Sequence, residues 1–157
     1  MAIFPAHTEV LVSSLTKEDV MSRLDEVTKQ VNYLDYRLEE KPGHLFNGTL
    51  EDTSFRISLR ISRADSFLPL IHGSLEDTAM GSILFLEYKL FPSSVFFLGF
   101  WTVISVLLCL FFGIFTQKYL MAGSCLLLGM GNYAFAWTYF KRKIRQSQRI
   151  FKELLNA

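Results

Sequence analysis

Two apolar runs lying almost end to end limit what this chain can become. Val95 to Phe115 reads VFFLGFWTVISVLLCLFFGIF and Leu120 to Phe140 reads LMAGSCLLLGMGNYAFAWTYF, each twenty-one residues long and without a charge. A helix needs about twenty predominantly apolar residues to cross a hydrocarbon core of roughly 30 Å. A soluble chain of 157 residues could not cover two helices that are apolar all round. The runs therefore predict a transmembrane helical hairpin. Only Thr116 to Tyr119 separates them, which suits a tight turn and leaves no room for a domain beyond it. Both termini are then expected on one side of the bilayer.

Charge is distributed to match. Residues 1–90 carry nine Lys/Arg against fourteen Asp/Glu, a net −5; residues 91–140 carry Lys118 alone; residues 141–157 carry six Lys/Arg and one Glu, a net +5. The overall value of +1 is thus two opposed segments around a neutral one, which excludes a single soluble globular domain, a disordered chain and a generally nucleic-acid-binding basic protein. Three parts are expected: a soluble domain over 1–90, the hairpin over 91–140 and a basic tail over 141–157. The cations that follow the second run outnumber Lys118 in the turn, so the positive-inside rule places both termini in the cytoplasm. Phe96, Phe97, Phe100 and Trp101 open the first run while Trp137, Tyr139 and Phe140 close the second, forming one interfacial belt. The first five residues lack the basic and apolar regions of a cleavable signal peptide.

The soluble part reads as α+β. Thr8 to Ser13 suits a short strand, and Thr16 can cap a helix whose first turn carries Glu18 and Asp19. Val20, Met21, Leu24, Val27 and Val31 follow at helical spacing, about four turns with one apolar face. Tyr33 to Leu38 is a candidate strand, and Lys41-Pro42-Gly43 a turn. From His44 the period changes to two: Phe55, Ile57, Leu59 and Ile61 alternate with Ser54, Arg56, Ser58 and Arg60. Phe46, Gly48 and Leu50 are the expected hairpin partner across Glu51-Asp52-Thr53. Leu70 to Leu75 and Ser82 to Leu90 add two strands around a turn from Glu76 to Gly81, the last apolar enough to be central. The expectation is a small antiparallel sheet of five or six strands with one helix, close to the membrane because only Leu90 to Ser94 connects them.

Each run carries a stripe of small or weakly polar residues at helical spacing: Thr102, Ser105, Cys109 and Gly113 in the first, Ala122, Cys125, Gly129, Asn132 and Ala136 in the second. Small residues let helices approach closely in lipid, and Asn132 can hydrogen-bond across the contact. A conduction path is the weaker reading, because neither run holds an ionisable acid, base or histidine. In the tail, Ile144, Ile150, Phe151, Leu154 and Leu155 gather within an arc of about 140° at 100° per residue, with Arg142, Arg145 and Arg149 on another. Two readings stay open: a basic amphipathic helix with its cations on anionic headgroups, or one packed on the acidic soluble domain.

No catalytic signature emerges. His7, His44 and His72 stand apart from one another and from Cys109 and Cys125, so neither a metal site nor a disulfide is expected. Gly129-Met130-Gly131 lacks the strand–loop–helix setting of a phosphate loop, and no nucleophile has a neighbouring base. Asn47-Gly48-Thr49 matches a glycosylation acceptor but would face the cytoplasm, and is read as a turn. Arg56, Arg60 and Arg63 form a candidate small-anion face, weighed against a solvated strand face.

Phe46-x-Gly48, the strand from Phe55, and Arg63-Ala64-Asp65-Ser66-Phe67-Leu68-Pro69-Leu70-Ile71-His72-Gly73 ahead of the hairpin resemble a loose group of small uncharacterised bacterial two-span membrane proteins. Their pattern is F-x-G, a strand, N-S-F-x-P-x-I-x-G, a strand, then two spans. The resemblance covers residues 44–140, and Asp65 replaces the group's Asn. It implies a shared fold and topology in the bacterial inner membrane, and no activity or cofactor. Phe67 is expected to be buried, Pro69 to fix a turn, and Gly73 to pass close to another segment. The function expected is a non-enzymatic membrane protein that binds a protein partner or its own copy, as an accessory subunit, without a cofactor. A membrane-anchored sensor of a small anion or lipid headgroup is the alternative.

Overall fold

The computed structural model describes residues 4–30, 43–60 and 67–156. Its elements run β1 (Ala6–Ser13), α1 (Lys17–Val27), β2 (Thr28–Gln30), β3 (Phe46–Leu50), β4 (Ser54–Leu59), β5 (Pro69–Thr78), β6 (Gly81–Leu90), α2 (Pro92–Leu110) and α3 (Tyr119–Asn156). The strands form one six-stranded sheet in the order β1-β6-β5-β4-β3-β2.

Two features depart from the small antiparallel sheet read from the sequence. β2 pairs parallel with β3, so the sheet is mixed; parallel neighbours need a connection of a dozen or more residues, and residues 31–45 supply it. The second departure is extent, since β5 and β6 are ten residues each. Their turn is only Ala79-Met80, because Thr78 already pairs with Gly81. Gly81 sits at φ +136°, and a Cβ there would run into the backbone of Ser13, so the tight turn requires glycine. β6 lies between β1 and β5, one strand in from the edge. Asn47-Gly48-Thr49 forms the middle of β3 rather than a turn. The candidate strand Tyr33 to Leu38 falls outside the described residues.

Helix α1 starts as its sequence dictates: Thr16 Oγ1 accepts from the Asp19 N–H at 3.2 Å, satisfying a donor that the first turn leaves free. It ends at Val27, and Val20 and Leu24 are its buried residues. Ser13 and Ser82 pin the entry to it. Leu15 N–H donates to Ser13 Oγ at 3.2 Å, and Ser82 Oγ donates to the Leu15 carbonyl at 3.0 Å.

One face of the sheet carries the core. Phe46, Phe55, Ile57, Leu59, Ile71, Leu75, Leu84, Leu86 and Tyr88 all point to it and are buried. α1 and the C-terminal half of α3 cover them. The tail continues the second long helix, as its sequence suggests, since α3 runs for 38 residues without a break. Phe140, Ile144, Ser147 and Phe151 recur at four, three and four residues, all buried, which is the spacing of one helix face. The Phe151 ring lies 5.4 Å from Phe46 and 6.1 Å from Phe55. Arg23 Nη1 donates to the Leu154 carbonyl at 2.7 Å, and Gln148 Nε2 to Glu9 Oε2 at 2.8 Å. The apolar side of the tail therefore rests on the soluble domain.

Only Phe91 separates β6 from α2, which begins with Pro92, a residue preformed for a first helical turn. α2 continues as a π-helical turn over Phe111–Phe115, and Gln117 at φ 54° reverses the chain into α3. Both helices are long and apolar enough to span a bilayer. Along them Phe96, Phe100, Val103, Leu107, Ile114, Leu127 and Leu128 are exposed. At the root of the hairpin, buried Phe67 meets Phe97 and Phe135 edge-on, each at 6.3 Å. Pro69 is the first residue of β5, paired with Leu90.

Candidate functional site

The face of the sheet turned away from α1 and α3 is uncovered among the described residues. Strand alternation sends every second side chain there, and the register lines them up in rows. Thr8, Glu87, His72, Arg56 and Thr49 stand side by side across five strands. The neighbouring row is Val10, Phe85, Ser74 and Ser54. A shallow groove of about 500 Å³ follows these rows and reaches Glu51. Val10, Val12 and Phe85 are 55%, 79% and 38% exposed, an apolar strip beside the polar row.

Glu9, Glu51 and Glu87 line the groove together with Arg56. Glu87 Oε2 meets Lys89 Nζ at 2.8 Å. His72, held between Arg56 and Glu87, has its imidazole pKa pushed below the ordinary value. Partial burial is the main cause, followed by the nearby charges of Arg56 and Lys89, with Glu87 acting the other way. Of the three arginines expected to form an anion face, Arg56 lines the groove, Arg60 follows the end of β4 and does not line it, and Arg63 lies outside the described residues. Glu51 and Glu87 share the space, so no purely cationic pocket results. His72 and Glu87 were missed as site residues. Alternation alone marks their side of each strand, but their adjacency depends on the two-residue turn at Ala79-Met80 that fixes the register.

No protein-family model, curated protein or solved structure matches this chain.

On the covered side, Gly73 lies under the Phe55 ring, where a Cβ would collide with it. Tyr88 is wholly buried and its hydroxyl has no hydrogen-bond partner among the described residues. Burial, with the charge of Glu9, raises its phenol pKa above the usual range.

Between the helices, Gly129 faces Ser105, and a Cβ on the glycine would come within 2.9 Å of Ser105 Cβ. Ala122 lies opposite Gly113, 3.8 Å from where its Cβ would be. Ala136 is buried, while Thr102 Oγ1 turns back onto the Leu98 carbonyl at 2.8 Å. Cys109 and Cys125 are half-buried free thiols. Cys125 and Asn132 line an apolar groove of about 380 Å³ with Phe97, Trp101 and Ser105. Among the described residues no three His, Cys, Asp or Glu converge to hold a metal.

Of the tail arginines, Arg145 and Arg149 border a shallow depression with Lys152 and Glu153. Arg145 also lines a second groove with Lys141, Trp137, Gln148 and His7. Arg142 belongs to neither. Lys141 Nζ lies 5.1 Å above the Trp137 ring and Lys143 Nζ 5.7 Å from that of Tyr139.

Proposed function

We propose that this chain is a non-enzymatic integral membrane protein of the bacterial inner membrane, with both termini cytoplasmic, whose sheet domain binds a protein partner as an accessory subunit of a membrane complex. The hairpin crosses the bilayer. In support, its two helices leave their apolar side chains outward with no other described part of the chain to cover them, and lipid is the solvent that makes such an arrangement stable.

The observation that carries the partner reading is the difference between the two sides of the sheet, one filled by the molecule's own helices and one open among the described residues. The open side combines an exposed apolar strip toward the β1 edge (Val10, Val12, Phe85) with a row of charges and hydroxyls, and protein interfaces use both kinds of contact. Arg56 shares the groove with Glu9, Glu51 and Glu87, which suits a protein surface better than a small anion. Purification of the tagged full chain in mild detergent is expected to bring down a stoichiometric partner or a second copy. Val10→Asp with Phe85→Asp should lose it while keeping the monomer folded. A solitary monomer for the natural sequence, or capture unaffected by the two substitutions, would reject the proposal.

A further inference from the structure

A groove of about 290 Å³ lies where the outer end of the hairpin meets β1, lined by Ala6, His7, Trp137, Phe140, Lys141, Ile144, Arg145 and Gln148. Its depth follows from the helix. The uncharged run Leu120 to Phe140 has twenty-one residues, about 31 Å at 1.5 Å each, which matches the hydrocarbon thickness. Lys141 therefore stands at the headgroup level, with Trp137 one turn deeper, where an indole prefers to sit. Arg145 is one turn further out on the same helix face.

These cations are not consumed by the fold. Lys141 rests on the Trp137 ring, and neither it nor Arg145 has an ion-pair partner among the described residues. Both are exposed. Glu9, the carboxylate of the facing strand, accepts from Gln148 Nε2 at 2.8 Å and does not line the groove. His7 closes the β1 side, its ring 5.9 Å from that of Tyr88, and can donate one N–H.

On the membrane reading above, we infer that this groove holds the phosphate of an anionic phospholipid headgroup. Lys141 and Arg145 supply the charge, His7 a further donor, and Trp137 the lipid-facing floor. The volume takes a headgroup rather than a whole lipid, which leaves the acyl chains along the hairpin. The site fixes the sheet's height and orientation at the bilayer surface.

The chain has two tryptophans, so Trp101→Phe leaves Trp137 as a reporter inside the groove. In phosphatidylcholine nanodiscs, brominated phosphatidylglycerol is expected to quench Trp137 well ahead of brominated phosphatidylcholine. Lys141→Gln with Arg145→Gln should weaken the preference roughly thirtyfold, at about 1 kcal/mol per cation near the surface. Arg142→Gln with Lys152→Gln removes the same charge outside the groove and should weaken it far less. Equal losses in the two double variants, or no preference for the anionic lipid, overturn the inference. So does full relief of quenching by inorganic phosphate, which would assign the groove to a free anion. Trp137→Phe leaves Trp101 as a reporter within the span. Its failure to be quenched by either lipid would defeat the membrane reading itself, whereas quenching by both leaves the headgroup site to be judged alone.

Discussion

The same strands present two unlike faces. On one, Phe46, Ile57, Ile71 and Tyr88 are wholly excluded from water and meet α1 and α3; on the other, residues one position away stay open. The difference does not come from strand composition alone, since Val10, Val12 and Phe85 are as apolar as their buried neighbours. It comes from α1, through Val20 and Leu24, and from the tail of α3, through its Phe140, Ile144, Ser147 and Phe151 stripe; both helices lie on one side. Among the described residues nothing covers the second face, which holds the row of Thr8, Glu87, His72, Arg56 and Thr49.

This contrast can be broken at several points. Phe151→Ala empties the contact between tail and sheet and should cost about 3–5 kcal/mol, read as a lowered midpoint in denaturant titration of the detergent-solubilised chain. Gly73→Ala puts a methyl into the Phe55 ring and should cost about 1–3 kcal/mol through overpacking, with a matching fall in Tm. Val12→Thr on the open face should change stability by no more than about 0.5 kcal/mol; a cost like that of Phe151→Ala would show that the open face is covered after all. The smallest effect belongs to His72. Its pKa is lowered from 6.5 in the fold, so below that pH the unfolded chain takes up a proton the folded chain resists, and stability falls with acidification. Thermal scans between neutral and mildly acidic pH should show a slightly steeper loss for the natural chain than for His72→Gln.

Much of this was legible in the residues. Uncharged runs located both long helices, Thr16 marked the start of α1, and alternation through Phe55 to Leu59 identified β4 and its buried side. Three things were hidden for physical reasons. β2 is three residues long and follows α1 without a turn signal, so no period could reveal it. Ser147 breaks the apolar arc of the tail, yet it is buried because a small side chain brings the helix close to the sheet and its hydroxyl donates to the Lys143 carbonyl at 3.1 Å. The groove at His7, Lys141 and Arg145 joins residues more than 130 positions apart in the numbering, a proximity that only the docking of α3 on β1 creates. Small residues such as Ser105 and Gly129 were visible as stripes, but which of them face each other depends on the length of the turn around Gln117.

The unbroken course of α3 gives the molecule a stiff lever. At 38 residues it is about 57 Å long; on the membrane reading proposed above, one arm lies among the acyl chains and the other bears the sheet. A bilayer that thins or thickens tilts a helix to restore its hydrophobic match, and no hinge here absorbs that rotation. A tilt of about 10° at the membrane arm would sweep the far end of the helix through about 4 Å across some 25 Å of rise, turning lipid thickness into displacement of the open sheet face.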